Sequence, residues 1–142
     1  MRKIGRIMEI EMLIKQPESK TLEFKRDLSS LLPVLKTIIA FANTAGGIII
    51  IGCSPPGIIT GVQNIFKEEE RLASAIADSI HPFLLPELEV ATLEEKDLLI
   101  IKVAHWKGPF YLKKEGMPKG VYVRLGSTSR PAGPELISEL QR

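Results

Sequence analysis

Four consecutive isoleucines, Ile48 to Ile51, follow directly on a pair of glycines and end at a third, Gly52. Four β-branched residues in a row favour extended backbone, and the lack of alternation with polar residues means that both faces of the strand are covered. A chain with this run has a central strand, and the flanking elements must supply its two coverings. Before it, Gly46 and Gly47 fit the left-handed close of a helix and the tight turn after it, where a side chain would clash. After it, Pro55, Pro56 and Gly57 make a turn that no central strand or helix tolerates.

Upstream, residues 18–27 read as a first strand, with Leu22 and Phe24 on one face and Glu23 and Lys25 together on the other. Ser29 or Ser30 is placed to cap the helix that follows, and Pro33 is tolerated in its first turn. Leu31, Leu32, Val34, Leu35, Ile38, Ile39 and Phe41 leave that helix apolar nearly all round, so it is expected to be buried against the sheet. Residues 1–17 mix charges with Ile4, Ile7, Met8, Ile10, Met12, Leu13 and Ile14 at loose helical spacing, which fits a short docking helix or an oligomer contact.

Downstream, residues 57–62 read as a short strand returning from the proline turn to form a hairpin with the central strand. This order excludes a phosphate-binding loop, which needs strand, then glycines, then the free N–H groups of a helix; here the glycines precede one strand and introduce another. A second helix is expected from Gln63 or Asn64 through Ile80, with a stripe of Leu72, Ile76 and Ile80 and with Ala73 and Ala77 allowing close packing. Glu68, Glu69 and Glu70 suit the positive end of its dipole, and His81-Pro82 ends it. Residues 88–93 and 98–103 form a hairpin, residues 110–112 a short strand, and Val121, Val123 and Leu125 alternate with Tyr122 and Arg124 in a last one. Residues 126–132 read as a turn of small residues offering hydroxyls and N–H groups beside two arginines, and residues 134–142 as the start of a helix.

The 142 residues fit one domain, and 44% hydrophobic with 25% charged residues is ordinary for a globular protein. The lone Cys53, beside the central strand, is expected to be a small buried residue, and with only His81 and His105 besides no Cys/His zinc site can be assembled. No apolar run is long enough to span a bilayer, and the charges before Met12 do not fit a signal peptide, so no membrane partner and a cytoplasmic location are expected. The net charge is only +2. It is unevenly spread, with basic residues dominating from Lys102 to Arg130 and acidic ones from Lys67 to Asp97. A basic end fits a polyanionic partner, and equally fits solvated lysines on any surface strand.

Three segments in order carry a resemblance: Glu18-Ser-Lys-Thr-Leu-Glu23-Phe24-Lys25, Ala40-Phe-Ala-Asn-Thr-Ala-Gly-Gly47 with its isoleucine strand, and Tyr122-Val-Arg124-Leu-Gly126-Ser127-Thr-Ser-Arg130-Pro-Ala132. Together they resemble the Schlafen-type, AlbA-like DNA-binding domain family, found in bacteria at the N-terminus of transcriptional regulators and helicase-related proteins. The resemblance implies an α/β (α+β) fold, a mixed β-sheet with two main packed helices, over residues 18–133. Residues 1–17 are then an N-terminal extension and 134–142 the start of a C-terminal helix or a linker to a further domain. It also implies nucleic-acid binding and, in some relatives, RNA cleavage by two glutamates matched by Glu18 and Glu23 plus an acidic residue just after Gly52. Here that turn is Cys53-Ser54-Pro55-Pro56, so the third carboxylate is absent, with Asp27 nearby in sequence as a substitute.

Two functional readings and a bland one follow. The first is a nucleic-acid-binding module, DNA foremost, with no chemistry and no cofactor of its own. Lys25, Lys113, Lys114, Lys119, Arg124 and Arg130 would contact phosphates, Ser127 and Thr128 would donate from the turn, and Tyr122, Tyr111 or Trp106 would stack on a base. The second is a metal-dependent endoribonuclease in which Glu18 and Glu23 hold Mg²⁺ or Mn²⁺. The third is an interaction module that oligomerises or regulates a further C-terminal domain. Against the first two stand ordinary structural roles: Glu23 paired with Lys25 or with Arg124 on a neighbouring strand, and the tyrosines packed on the sheet.

Overall fold

The isoleucine run lies in the middle of a four-stranded mixed sheet. In the computed structural model, which describes residues 2–142 and side chains from Ile7 onward, the chain runs α1 (Arg2–Leu13), β1 (Leu22–Lys25), α2 (Leu32–Asn43), β2 (Gly47–Ile51), β3 (Cys53–Ser54) and β4 (Ile58–Ile59). It continues through α3 (Ile65–Ser79), β5 (Ile80–His81), β6 (Glu87–Leu93), β7 (Lys96–Val103), β8 (Tyr111–Leu112), β9 (Tyr122–Leu125), β10 (Thr128–Pro131) and α4 (Pro134–Leu140). The sheet has the order β1-β2-β7-β6, parallel between β1 and β2 and antiparallel elsewhere. The fold is therefore the expected α+β type, with α2 and α3 as its main packed helices.

Strand alternation divides the core in two. Ile49 and Ile51 project into the cluster that holds Phe41 of α2, Leu72 and Ile76 of α3 and Leu99 and Ile101 of β7. Ile50 projects the other way, to Leu22, Phe24, Leu98 and Ile100, where Ile10 of α1 and Ile14 just beyond it cover the sheet. Both coverings demanded by the isoleucine run are present, and each buried isoleucine contributes about 1.5–3 kcal/mol. The N-terminal segment is thus a docking helix; Ile4, counted in its apolar set, lies outside the residues whose side chains are described.

The turn into β2 is set by close approach. Gly46 has φ +74°, and a Cβ there would stand 2.7 Å from the Val103 carbonyl oxygen. A Cβ on Gly47 would fall 2.7 Å from the Phe41 ring. The two glycines let α2 fold back on its own strand, which is a packing demand.

Several local expectations need correction. The central strand pairs with β1 and β7, and the proline turn joins only β3 to β4, two residues a side beyond Gly52. Neither Ser29 nor Ser30 caps α2; the cap position is Leu31 without a side-chain bond, and Pro33, having no N–H, removes one of the donors a cap would serve. Ala73 and Ala77 are exposed, so the packed face of α3 is made by Ile65, Leu72 and Ile76, with Ala75 against the same cluster. Residues 128–131 are not turn but strand β10, paired antiparallel with β9 through a two-residue turn at Gly126 and Ser127.

Candidate functional site

The three sequence segments meet at one buried polar network. β1 turns Leu22 and Phe24 to the α1 side, which leaves Glu23 facing α2. There Glu23 Oε1 accepts from Arg124 Nη1 at 2.6 Å and Oε2 accepts from the Thr37 hydroxyl at 2.8 Å. Lys25 Nζ adds a second cation 3.5 Å from Oε2. Ser129 of β10 closes the ring, its hydroxyl accepting from Arg124 and donating to Thr37.

Arg124 is 2% exposed, and all five of its N–H donors are used: on Glu23, on Ser129, twice on the Ser19 carbonyl and once on the Leu22 carbonyl. Its guanidinium also lies over the Phe41 ring, 4.9 Å from the centroid. A charge can be kept inside only on these terms. The expectation that Arg124 contacts phosphate is corrected here: β9 packs on α2, so the side chains alternating with Val121 and Val123 face the helix and not solvent. The same holds for Tyr122, which belongs to the main core cluster. Its hydroxyl donates to Glu115 at 2.8 Å, and burial, then that bond and the Glu115 charge, push the phenol up to about 12.

Next to this network the Ala40–Gly47 segment makes its own clamp. Asn43 Nδ2 donates to the carbonyls of Phe110 and Tyr122, and its Oδ1 accepts from the Phe110 N–H. The Thr44 hydroxyl accepts from the Arg124 N–H at 3.0 Å. The end of α2 is thereby bonded to the β8 approach and to β9.

The two glutamates of the nuclease reading are held by different partners. Glu18 is exposed and its Oε2 accepts from the Phe24 N–H on the free edge of β1, whereas Glu23 points to the α2 side. Asp27, the substitute carboxylate, accepts from the Ser29 N–H and hydroxyl, which hold its carboxyl below the usual range. Among the described residues no cluster of three or more His, Cys, Asp or Glu side chains has a metal-binding arrangement. Cys53 is buried, and burial, with the Glu18 charge adding to it, pushes its thiol up to about 12.

Exposed cations stand on the β8–β9 loop and on β10, with Glu115 among them. Lys113, Lys114 and Lys119 are exposed on the loop between β8 and β9, which is held by bonds from Lys113 N–H to the Ser79 carbonyl and from Gly120 N–H to the Gly116 carbonyl. Lys36 of α2, which sequence reasoning passed over, stands 5.1 Å from the centroid of Tyr122, whose hydroxyl reaches Glu115 of that loop. Arg130 is exposed on β10, its Nε donating to the Thr128 hydroxyl, and Ser127 is exposed at the turn. Thr37 and Asn43 were also missed. Their signal was present, since a polar residue inside an otherwise apolar helix has to find a buried partner.

The family model described as Schlafen, AlbA_2 matches residues 18–133. In solved structures, the chain is similar to the N-terminal domain of a protein from Nitrosomonas europaea related to the ATP-dependent DNA helicase RecG. The two are 28% identical with a TM-score of 0.64, over 87% of this chain and 92% of that one. It is also similar in fold to the DIP2311 protein of Corynebacterium diphtheriae, at 19% identity and a TM-score of 0.67, over 99% of this chain and 29% of that one. The chain thus spans less than a third of the Corynebacterium protein. No curated protein matches it. No described helix is long and apolar enough to cross a membrane.

Proposed function

The chain belongs to the Schlafen, AlbA_2 family, and on that premise we propose that it is a nucleic-acid-binding domain with no catalysis of its own, acting in the cytoplasm. The observation that carries this reading is the set of exposed cations, Lys113, Lys114, Lys119 and Arg130, on a hydrogen-bonded loop and hairpin beside the buried network. Only Glu115 opposes them within the loop, and its carboxylate already takes the Tyr122 hydroxyl. Such cations bind a phosphate backbone with affinity and little sequence preference. DNA is the polymer assigned first, because the similar Nitrosomonas domain begins a protein related to a DNA helicase. The commitment of Glu23 to Arg124 and Thr37 supports a role without hydrolysis and without a bound metal.

Fluorescence anisotropy of labelled duplex and single-stranded DNA and RNA, each at two salt concentrations, tests the reading. The expected result is binding that weakens steeply as salt rises. Absence of binding, or affinity indifferent to salt, refutes it.

A further inference from the structure

The large aromatic side chains exposed on the described surface are Phe66, Phe83 and Trp106, and the last two share one place. Trp106 is 58% exposed and Phe83 71%, and both line an open depression of about 450 Å³ together with Leu85, Lys107 and Phe110. Trp106 and Leu85 also line the wider groove beside it, about 660 Å³, which passes the Gly46–Gly47 turn and reaches Lys102, Ser19 and Thr21. The two depressions therefore adjoin at Trp106 and Leu85, and each has a lysine in its lining, Lys107 in one and Lys102 in the other.

Trp106 does not hang from a free loop. Its N–H donates to the Ala42 carbonyl at 3.1 Å, and His105 Nδ1 lies 2.9 Å from the same oxygen, so the backbone under the indole is fixed to the last turn of α2. Neither Lys102 nor Lys107 is held in an ion pair with any described residue. Glu87 lines the groove opposite Lys102 in the β6–β7 register, so the Lys102 end is the more nearly neutral and Lys107 carries the unopposed charge.

Exposed aromatic faces beside cations are what a single strand uses: the bases stack and the phosphates meet the lysines. A duplex keeps its base faces stacked on one another and has none to offer. An apolar protein segment would gain from Trp106, Phe83 and Leu85 but would bring nothing for the lysines to meet. We propose that this groove takes a single-stranded nucleic acid, one base against Trp106 and a neighbouring base against Phe83, with a flanking phosphate at Lys107. The proposal rests on the nucleic-acid reading above and adds to it a second contact region and a preference for single strands.

Trp106 is the chain's one tryptophan, so its emission reports on the groove itself. The experiment titrates the protein with oligothymidylate about 12 nucleotides long and with a blunt duplex of the same length, following Trp106 emission and, in parallel, anisotropy of the labelled strands. The expected result is quenching by the single strand and not by the duplex. Phe83→Ala, at an exposed position, should melt like the wild type and lower single-strand affinity about tenfold while leaving duplex affinity unchanged. If anisotropy shows single-strand binding while the emission stays still and Phe83→Ala binds as tightly as wild type, the groove proposal fails and the nucleic-acid reading stands. If no strand binds in either channel, both fail. If the emission instead changes with protein concentration alone, in step with dimer formation in sedimentation, the groove is covered by a second copy and the proposal is overturned.

Discussion

Arg124 Nη1 lies 2.6 Å from Glu23 Oε1, inside the fold and between two strands that are not neighbours in the sheet. The pair joins β1, in the main sheet, to the β9–β10 hairpin outside it; Thr37 bonds to Glu23, Ser129 to Arg124, and the two hydroxyls to each other. Removing one partner leaves the other charged and buried. Glu23→Ala or Arg124→Ala should therefore each cost about 3–5 kcal/mol of stability by denaturant unfolding. Glu23→Leu with Arg124→Met, which removes both charges, should cost less than either single change. A single variant that unfolds like wild type would show that the pair does not hold the hairpin.

Because Arg124 has no free donor, nucleic-acid affinity has to come from the surface cations. Lys113→Glu with Lys114→Glu should weaken binding and flatten its salt dependence, while stability moves by no more than about 0.5 kcal/mol, the range of ordinary surface substitutions. Both side chains are exposed and neither is in an ion pair among the described residues. Full retention of binding in a folded double variant would move the phosphate contacts away from this loop.

The strand and helix framework was readable because its signals are local. The isoleucine run gave a two-faced central strand, and the period of two in Leu22, Glu23, Phe24 and Lys25 placed Glu23 opposite the α1 face. Alternation in Tyr122, Val123 and Arg124 was equally legible, but which set faces in was not. Val121 and Val123 are buried together with Tyr122 and Arg124, because one side of β9 lies on α2 and the other is covered as well. The pairing of Glu23 with Lys25 or Arg124 was one of the roles the sequence left open, and both contacts are present; the sequence could not choose it over a surface arginine, because Glu23 is about a hundred residues away. Strand β10 escaped notice for a related reason: Thr128 to Pro131 carries no apolar pattern, and its pairing is decided by β9. The clamp by Asn43 is likewise a tertiary fact, since its partners Phe110 and Tyr122 are remote from it in sequence.

Two buried acids make the fold sensitive to alkali. The Cys53 thiol moves from 9.0 to about 12, chiefly by burial, and the Tyr122 phenol from 10.0 to about 12, by burial and by its bond to Glu115. In both cases the folded state keeps a proton that the unfolded chain has already lost, so the stabilisation is complete below about pH 9 and is lost as pH rises toward 12. Wild type should lose stability over this whole window. Tyr122→Phe should lose less than wild type between pH 10 and 12, because no phenol remains to ionise. Parallel losses in the two proteins over that interval would contradict the assignment to Tyr122.

Cleavage of RNA is the sharpest test of what the carboxylates are for. A divalent ion at Glu23 would have to displace Arg124 from Oε1 or Thr37 and Lys25 from Oε2, leaving a bare guanidinium buried beside a new positive charge. Glu18, the other candidate ligand, is bonded on the edge of β1 and Glu23 on the α2 side, so each carboxylate is already committed to partners of its own. Incubation of structured RNA with Mn²⁺ should give no cleavage above a protein-free blank, and Glu18→Gln should change nothing, since that side chain is exposed and its replacement leaves the core alone. Cleavage by wild type that disappears in a normally melting Glu18→Gln, and again in Glu23→Gln, would make the protein an enzyme and would require the Glu23–Arg124 pair to open when substrate and metal bind.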